Sequence, residues 1–171
     1  MSEVNARAQR LPTQGFTLVE VLIVVVILGI LAAIVVPQFT DASQDANGAT
    51  LKTTLASVRT LLDLQYQSAT PPAFPATIDS AWFAAGAGLT HPENTFGVPT
   101  VEIDNTANRT HPSNKVLSAS SAGAFWYNPT NGLVRARVAS QGSDAATLAF
   151  YNDVNGSAEV NLGNGGGGGG S

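Results

Sequence analysis

Polar and apolar positions are distributed very unevenly along this chain. Residues 1–15 read as a polar leader carrying Glu3, Arg7 and Arg10. From Phe16 to Val36 the sequence then turns apolar with one charge, Glu20, and between Val21 and Val36 only Gly29 interrupts the apolar side chains. At ~1.5 Å per residue this run is roughly 31 Å long as a helix, about one hydrocarbon thickness, and it has no polar face to turn to water. The pattern predicts a membrane-spanning helix over 16–37 rather than the core helix of a soluble domain. Arg7 and Arg10 precede the span and no basic residue follows it until Lys52. The positive-inside bias therefore predicts a single pass with the N-terminus in the cytoplasm and the C-terminal part outside.

Pro37 lacks a backbone donor and its ring meets the carbonyl four residues back, which kinks a helix without having to end it. Beyond it Leu51, Leu55, Val58 and Leu62 recur at i, i+4, i+7 and i+11, one face of a helix. Asp41, Asp45, Lys52, Arg59 and Asp63 fall within an arc of about 40° at 100° per residue, the charged stripe of an amphipathic continuation over 38–68. The helix should end near Ser68, because Pro71, Pro72 and Pro75 cannot continue it. Residues 69–162 read as a small head with a helical turn at 81–85 and strands at 98–103, 124–127, 133–138, 147–151 and 158–162. Two segments ending in Asn-Gly, 128–132 and 152–156, read as hairpin turns. The predicted fold class is α+β: a long N-terminal helix with a small antiparallel sheet packed on its second half. Residues 163–171 form a Gly-rich tail with nothing to bury.

Composition narrows the function. The chain has 171 residues, 8 Lys+Arg against 12 Asp+Glu, a formal net charge of −4 and 12% charged residues. So low a charge with so much apolar sequence excludes a disordered solvating protein. With no Lys/Arg run to neutralise phosphates, no nucleic-acid partner is expected. The absence of cysteine excludes disulfides, thiolate zinc sites and Cys nucleophiles. Neither a Gly-x-Ser-x-Gly elbow nor a paired-carboxylate spacing stands out, and the chain is not expected to be an enzyme.

The most specific feature lies at the edge of the apolar run: Gly15-Phe16-Thr17-Leu18-Val19-Glu20, followed by Ile27-Leu28-Gly29-Ile30-Leu31-Ala32-Ala33 and then Pro37. This resembles the class III signal of type IV pilins and of the pseudopilins of type II secretion. The resemblance implies cleavage between Gly15 and Phe16 by a membrane prepilin peptidase, and N-methylation of the new Phe16 amine. It further implies that Glu20 of one subunit pairs with the Phe16 amine of its neighbour during assembly, and that Gly29 and Pro37 let the helix partly unwind in the filament. A carboxylate within an apolar span costs ~2.5–3.5 kcal/mol on insertion scales, so Glu20 needs such a reason, unless it reaches the headgroups from the end of the span.

Other constellations are weaker. His91 and His111 sit in a short repeat, Thr-His-Pro, and with Glu93 make a conceivable metal site, although the prolines more simply mark surface turns. Asp144, Asn152, Asp153 and Asn155 would offer oxygen ligands from two loops to calcium, the ion with which major pseudopilins hold their C-terminal loops. Trp82, Phe83 and Trp126 form either a binding surface or, as is commoner in a small domain, part of the core.

Taken together the sequence reads as the precursor of a helical filament subunit. A pseudopilin that polymerises to drive type II secretion is the first expectation. A type IV pilus subunit serving adhesion, motility or DNA uptake is the second, and a membrane-anchored tip or adhesin module the third. The expected partners are further copies of the chain in a homo-oligomeric filament, minor pseudopilins or pilins, the prepilin peptidase, an inner-membrane assembly platform and the membrane. The expected location is the cytoplasmic membrane, then a periplasmic filament or the cell surface.

Overall fold

The computed structural model describes residues 15–83 and 88–163, except for the side chains of residues 36–41. The leader before Gly15, the Gly-rich tail from Asn164 and the end of the helical turn expected at 81–85 lie outside the described residues. The chain divides into two units near Ala42. Helix α1, Leu18–Ser68, contributes to both, and its helical backbone continues through Pro37.

In the first unit α1 presents one continuous apolar surface. Its window Leu18–Val35 has a mean hydropathy of 3.2, and none of it is buried. Length and composition alone allow this segment to cross a membrane.

In the second unit the later part of α1 is the floor of the core. Leu51, Leu55, Val58 and Leu62 are buried, as the i, i+4, i+7, i+11 spacing requires, and pack with Phe125, Tyr127, Val134, Ala136, Val138 and Tyr151. Three short strands lie in the order β1 (Val101–Ile103), β2 (Phe125–Asn128), β3 (Leu133–Ala136). The β2–β3 pair is the expected antiparallel hairpin: Gly132 sits at φ 70°, and its N–H donates to the Asn128 carbonyl at 2.8 Å. Only glycine fits there, since a Cβ would strike the Phe74 ring at 2.3 Å.

The sheet corrects the expected meander. β1 pairs with β2 in parallel, Val101 opposite Phe125 and Ile103 opposite Tyr127, so the sheet is mixed. The long excursion over 104–124 carries the chain back to the end at which β1 began, as a parallel neighbour demands. The strand expected at 147–151 is instead part of helix α2, Asp144–Asn155. Ser143 caps it by accepting from the Ala146 N–H, Gly156 closes it at φ 62° and ψ 47°, and Thr147, Tyr151, Val154 and Asn155 are buried at helical spacing. The Asn-Gly pair at 155–156 is thus a helix stop, not a hairpin turn. The strand expected at 158–162 is also absent: that segment is joined to the head by Lys115 N–H to Leu162 O, 3.0 Å, and by a single bridge between Asn114 and Gly163.

Side chains finish what these short strands leave open. The Asn155 carboxamide accepts from Ala136 N–H at 2.8 Å and donates to Ala136 O at 2.9 Å, occupying the outer edge of β3 as another strand would. Lys52 pairs with Asp153 at 2.8 Å and Arg59 donates to the Asn155 carbonyl at 3.1 Å, so two members of the charged stripe on α1 hold α2. Arg137, 3% exposed, pairs with Glu102 of β1 and donates to the carbonyls of Gly123 and Asn114. Asp104 accepts from Thr106 N–H at 2.9 Å, Arg109 Nη1 at 2.8 Å and Trp126 Nε1 at 3.1 Å. Burial opposes its charge, but the hydrogen bonds from Thr106, Trp126 and Arg109 outweigh that and hold the carboxyl at about 2.

Two consequences are measurable by urea denaturation of the full chain in detergent. Asn155→Ala leaves the Ala136 N–H buried without a partner and should lower stability by about 1–3 kcal/mol. The ionised Asp104 contributes stability that is complete above the unfolded carboxyl value of about 3.9 and disappears as pH falls toward about 2. Asp104→Asn should remove that part of the acid dependence, and an unchanged pH profile between about 4 and 2 would contradict this assignment.

Candidate functional site

The residues singled out at the start of the apolar run sit at the entrance to α1. Gly15, Phe16 and Thr17 precede the helix, and Phe16 is 88% exposed. Thr17 is the N-cap and Glu20 the third helical residue, the positions of a capping box. The Glu20 Oε2 accepts from the Thr17 N–H at 2.8 Å and from its hydroxyl at 2.9 Å, while Thr17 Oγ1 accepts from the Glu20 N–H at 3.3 Å. Thr17 is the residue the sequence reading missed, although Thr-x-x-Glu ahead of an apolar run is a recognisable signature. Among the described residues Glu20 Oε1 makes no hydrogen bond, so the cap commits one carboxylate oxygen and leaves the other for a further donor.

Downstream, Val21, Val24 and Val25 form with Phe16 and Glu20 one shallow groove along the helix surface. Gly29 has nothing within 4 Å of where a Cβ would stand, so neither space nor backbone conformation within this unit explains a glycine there. These side chains are arranged for contact with something outside the described residues of this unit: apolar everywhere except at one carboxylate near the helix entrance.

The head does not assemble the expected metal ligands. Asp144 lies in the first turn of α2 and Asp153 in the last, roughly 13 Å apart along the axis. The Asn152 Oδ1 accepts from Ser157 Oγ at 3.0 Å and Glu159 N–H at 2.9 Å, Asp153 pairs with Lys52, and Asn155 is spent on β3. Four residues on one helix, three of them engaged, do not fit a calcium ion's demand for six to eight converging oxygens. His91 is likewise occupied, its Nε2 2.8 Å from Arg137 O and its Nδ1 accepting from Glu93 N–H at 3.2 Å. The other histidine, His111, contacts the Tyr151 hydroxyl and Glu159 instead. Among the described residues no three His, Asp or Glu side chains are placed to share a metal. Trp126 is fully buried with its indole N–H on Asp104, while Trp82 and Phe83 pack half-buried against the core.

Comparison with known proteins points to the same end of the chain. The family model described as the prokaryotic N-terminal methylation motif matches residues 11–36. The type IV narrow pilus major component of Thermus thermophilus is 54% identical over 46 residues, 27% of this chain and 40% of that protein. The type II secretion system core protein G of Pseudomonas aeruginosa is 45% identical over 56 residues, 33% of this chain and 39% of that protein. The chain thus matches about two fifths of the length of these curated relatives. No solved structure gives a significant match. With the methylation motif matched over residues 11–36, the exposed apolar α1 and an α+β head, the chain resembles type IV pilins and the pseudopilins of type II secretion.

Proposed function

We propose that this chain is the precursor of a filament subunit, held in the cytoplasmic membrane by the first part of α1 and later stacked with other copies. The observation that carries the reading is the window Leu18–Val35: mean hydropathy 3.2, no part buried, directly behind a Gly-Phe junction. At about 25 cal/mol per Å² of apolar surface such a segment cannot stay in water. Lipid covers it first, with the head outside, and the same segments of neighbouring copies cover it afterwards. No hydrolytic or transfer chemistry is required of the subunit itself.

In this reading water is added across the Gly15–Phe16 peptide bond by a prepilin peptidase, leaving a carboxylate on Gly15 and an ammonium on Phe16, which is then N-methylated. Glu20 uses Oε2 to cap its own helix and offers Oε1 to the Phe16 amine of a neighbour. A buried pair of opposite charges selects one stagger between subunits, since any other leaves both unpaired. Gly29 and Pro37 supply the flexible part of the helix during packing. Residues 1–15 are the removed leader, 16–37 the filament core, 38–68 the supporting helix and 69–162 the exported head. Minor subunits and an inner-membrane assembly platform complete the machine.

Within that frame a type II secretion pseudopilin is the first assignment, supported by the match to a secretion system core protein and by a head without cysteine. The match to a narrow-pilus component favours a type IV pilus as the second.

Three outcomes test this reading. Gly15→Ala should leave the protein at precursor mass in the membrane fraction, and a normally processed N-terminus would refute the cleavage site. Thr17→Ala should cost about 1 kcal/mol of helix capping and speed hydrogen exchange of the Val19–Val21 amides, whereas unchanged exchange would show that the cap contributes nothing. Deleting the gene should strip specific exoproteins from the medium and leave them in the periplasm. An unaltered secretome with lost adhesion or motility would select the pilus.

A further inference from the structure

The excursion over 104–124 brings Arg109, His111 and Lys115 to one place. Asn108, Arg109, Thr110, His111 and Lys115 border an open cleft of about 360 Å³, closed on one side by Glu159. A volume of that order accommodates a small ligand. Lys115 is 5% exposed at its side chain, and its ammonium meets Glu159 Oε2 at 3.1 Å. Burying a lysine charge this deeply is costly unless anions answer it. Glu159, itself 30% exposed, is shared: its Oε1 lies 3.3 Å from His111 Nε2. Arg135 acts electrostatically on both His111 and Glu159, and its Nε is buried with no hydrogen-bond partner. Glu159 thus faces two permanent cations, Lys115 and Arg135, with His111 beside them. Arg109 adds a third at the rim, paired with Asp104. In a chain whose net charge is −4, this is a local excess of positive charge.

The donor inventory points the same way. The Arg109 guanidinium has five N–H groups and directs Nη1 at Asp104, and the Lys115 ammonium has three protons with one acceptor, Glu159. The side chains of Asn108 and Thr110 make no hydrogen bond to any described residue. Donors therefore outnumber acceptors along the wall.

We propose that the cleft bordered by Asn108, Arg109, Thr110, His111 and Lys115 binds a tetrahedral oxyanion of the phosphate class, free or as a phosphate monoester. Its oxygens take the uncommitted N–H groups of Arg109 and Lys115 and the amide and hydroxyl of Asn108 and Thr110. Glu159 competes as a tethered anion and holds affinity down. Tyr151, through its hydroxyl 2.8 Å from His111 Nδ1, orients the imidazole toward Glu159.

The test is a titration of the ¹⁵N-labelled full chain in a zwitterionic detergent with inorganic phosphate, at neutral pH and constant ionic strength. Amides of 108–111, 115 and 159 should shift together and saturate. Asn108→Asp, which places a like charge at an exposed rim position, should weaken binding about fivefold, and Glu159→Gln should tighten it by a similar factor. These opposite responses at two sites are what a purely structural role of the cluster would not produce. Glycerol 3-phosphate binding more tightly than inorganic phosphate identifies a monoester ligand, and equal affinity identifies the free ion; either supports the site. Shifts that do not saturate, or that are the same in both variants as in the parent chain, mean an adventitious ion only and overturn the proposal.

Discussion

Everything in the head rests on the stripe Leu51, Leu55, Val58 and Leu62. Strands of three, four and four residues cannot enclose a core of their own, and a small sheet needs a second layer against its apolar face. The stripe supplies that layer: the four side chains are fully buried against Phe125, Tyr127, Val134 and Val138. The same helix thus carries two different surfaces. Its first part is apolar on every side and finds no cover in its own unit, whereas its last part is apolar on one side and covered.

The two cations of the charged stripe on the second part of α1 are explained from within the molecule. Lys52 and Arg59 reach Asp153 and the end of α2, so this stripe is where a second helix is attached. In the proposed filament, where this helix would meet other copies, charges settled internally avoid the desolvation that an unpaired charge would face in the contact. Thr50, Thr53, Ser57 and Thr60 follow the same logic, each hydroxyl donating to the carbonyl four residues back. These four hydroxyls on the surface of α1 are therefore already satisfied within the helix.

At the helix entrance, Glu20 caps the first turn from the third helical position, and in the proposed filament the same carboxylate would also meet the amine of a neighbouring copy. Its two oxygens are independent acceptors, and Oε2 is the one held by Thr17.

What the sequence determined by itself was everything governed by local spacing. The apolar run, the buried stripe at i, i+4, i+7 and i+11, the end of α1 at Ser68 and the Asn128–Gly132 hairpin follow from period and turn chemistry, as does the Gly15–Glu20 motif. Helix α2 was equally legible, with Ser143 as cap and Gly156 as stop, but Asn-Gly serves a hairpin or a helix end, and only the 147, 151, 154, 155 spacing separates them. Tertiary structure alone decided the rest. Strand direction depends on where the excursion over 104–124 returns, so the parallel β1–β2 pairing has no local signature. Nor does the use of Asn155 to close the edge of β3, nineteen residues away, or the Arg137–Glu102 pair, thirty-five residues apart. Where the candidate calcium ligands stand was decided the same way: Asp144 and Asp153 lie on one helix, whose rise carries them apart, and Asn152, Asp153 and Asn155 have other partners.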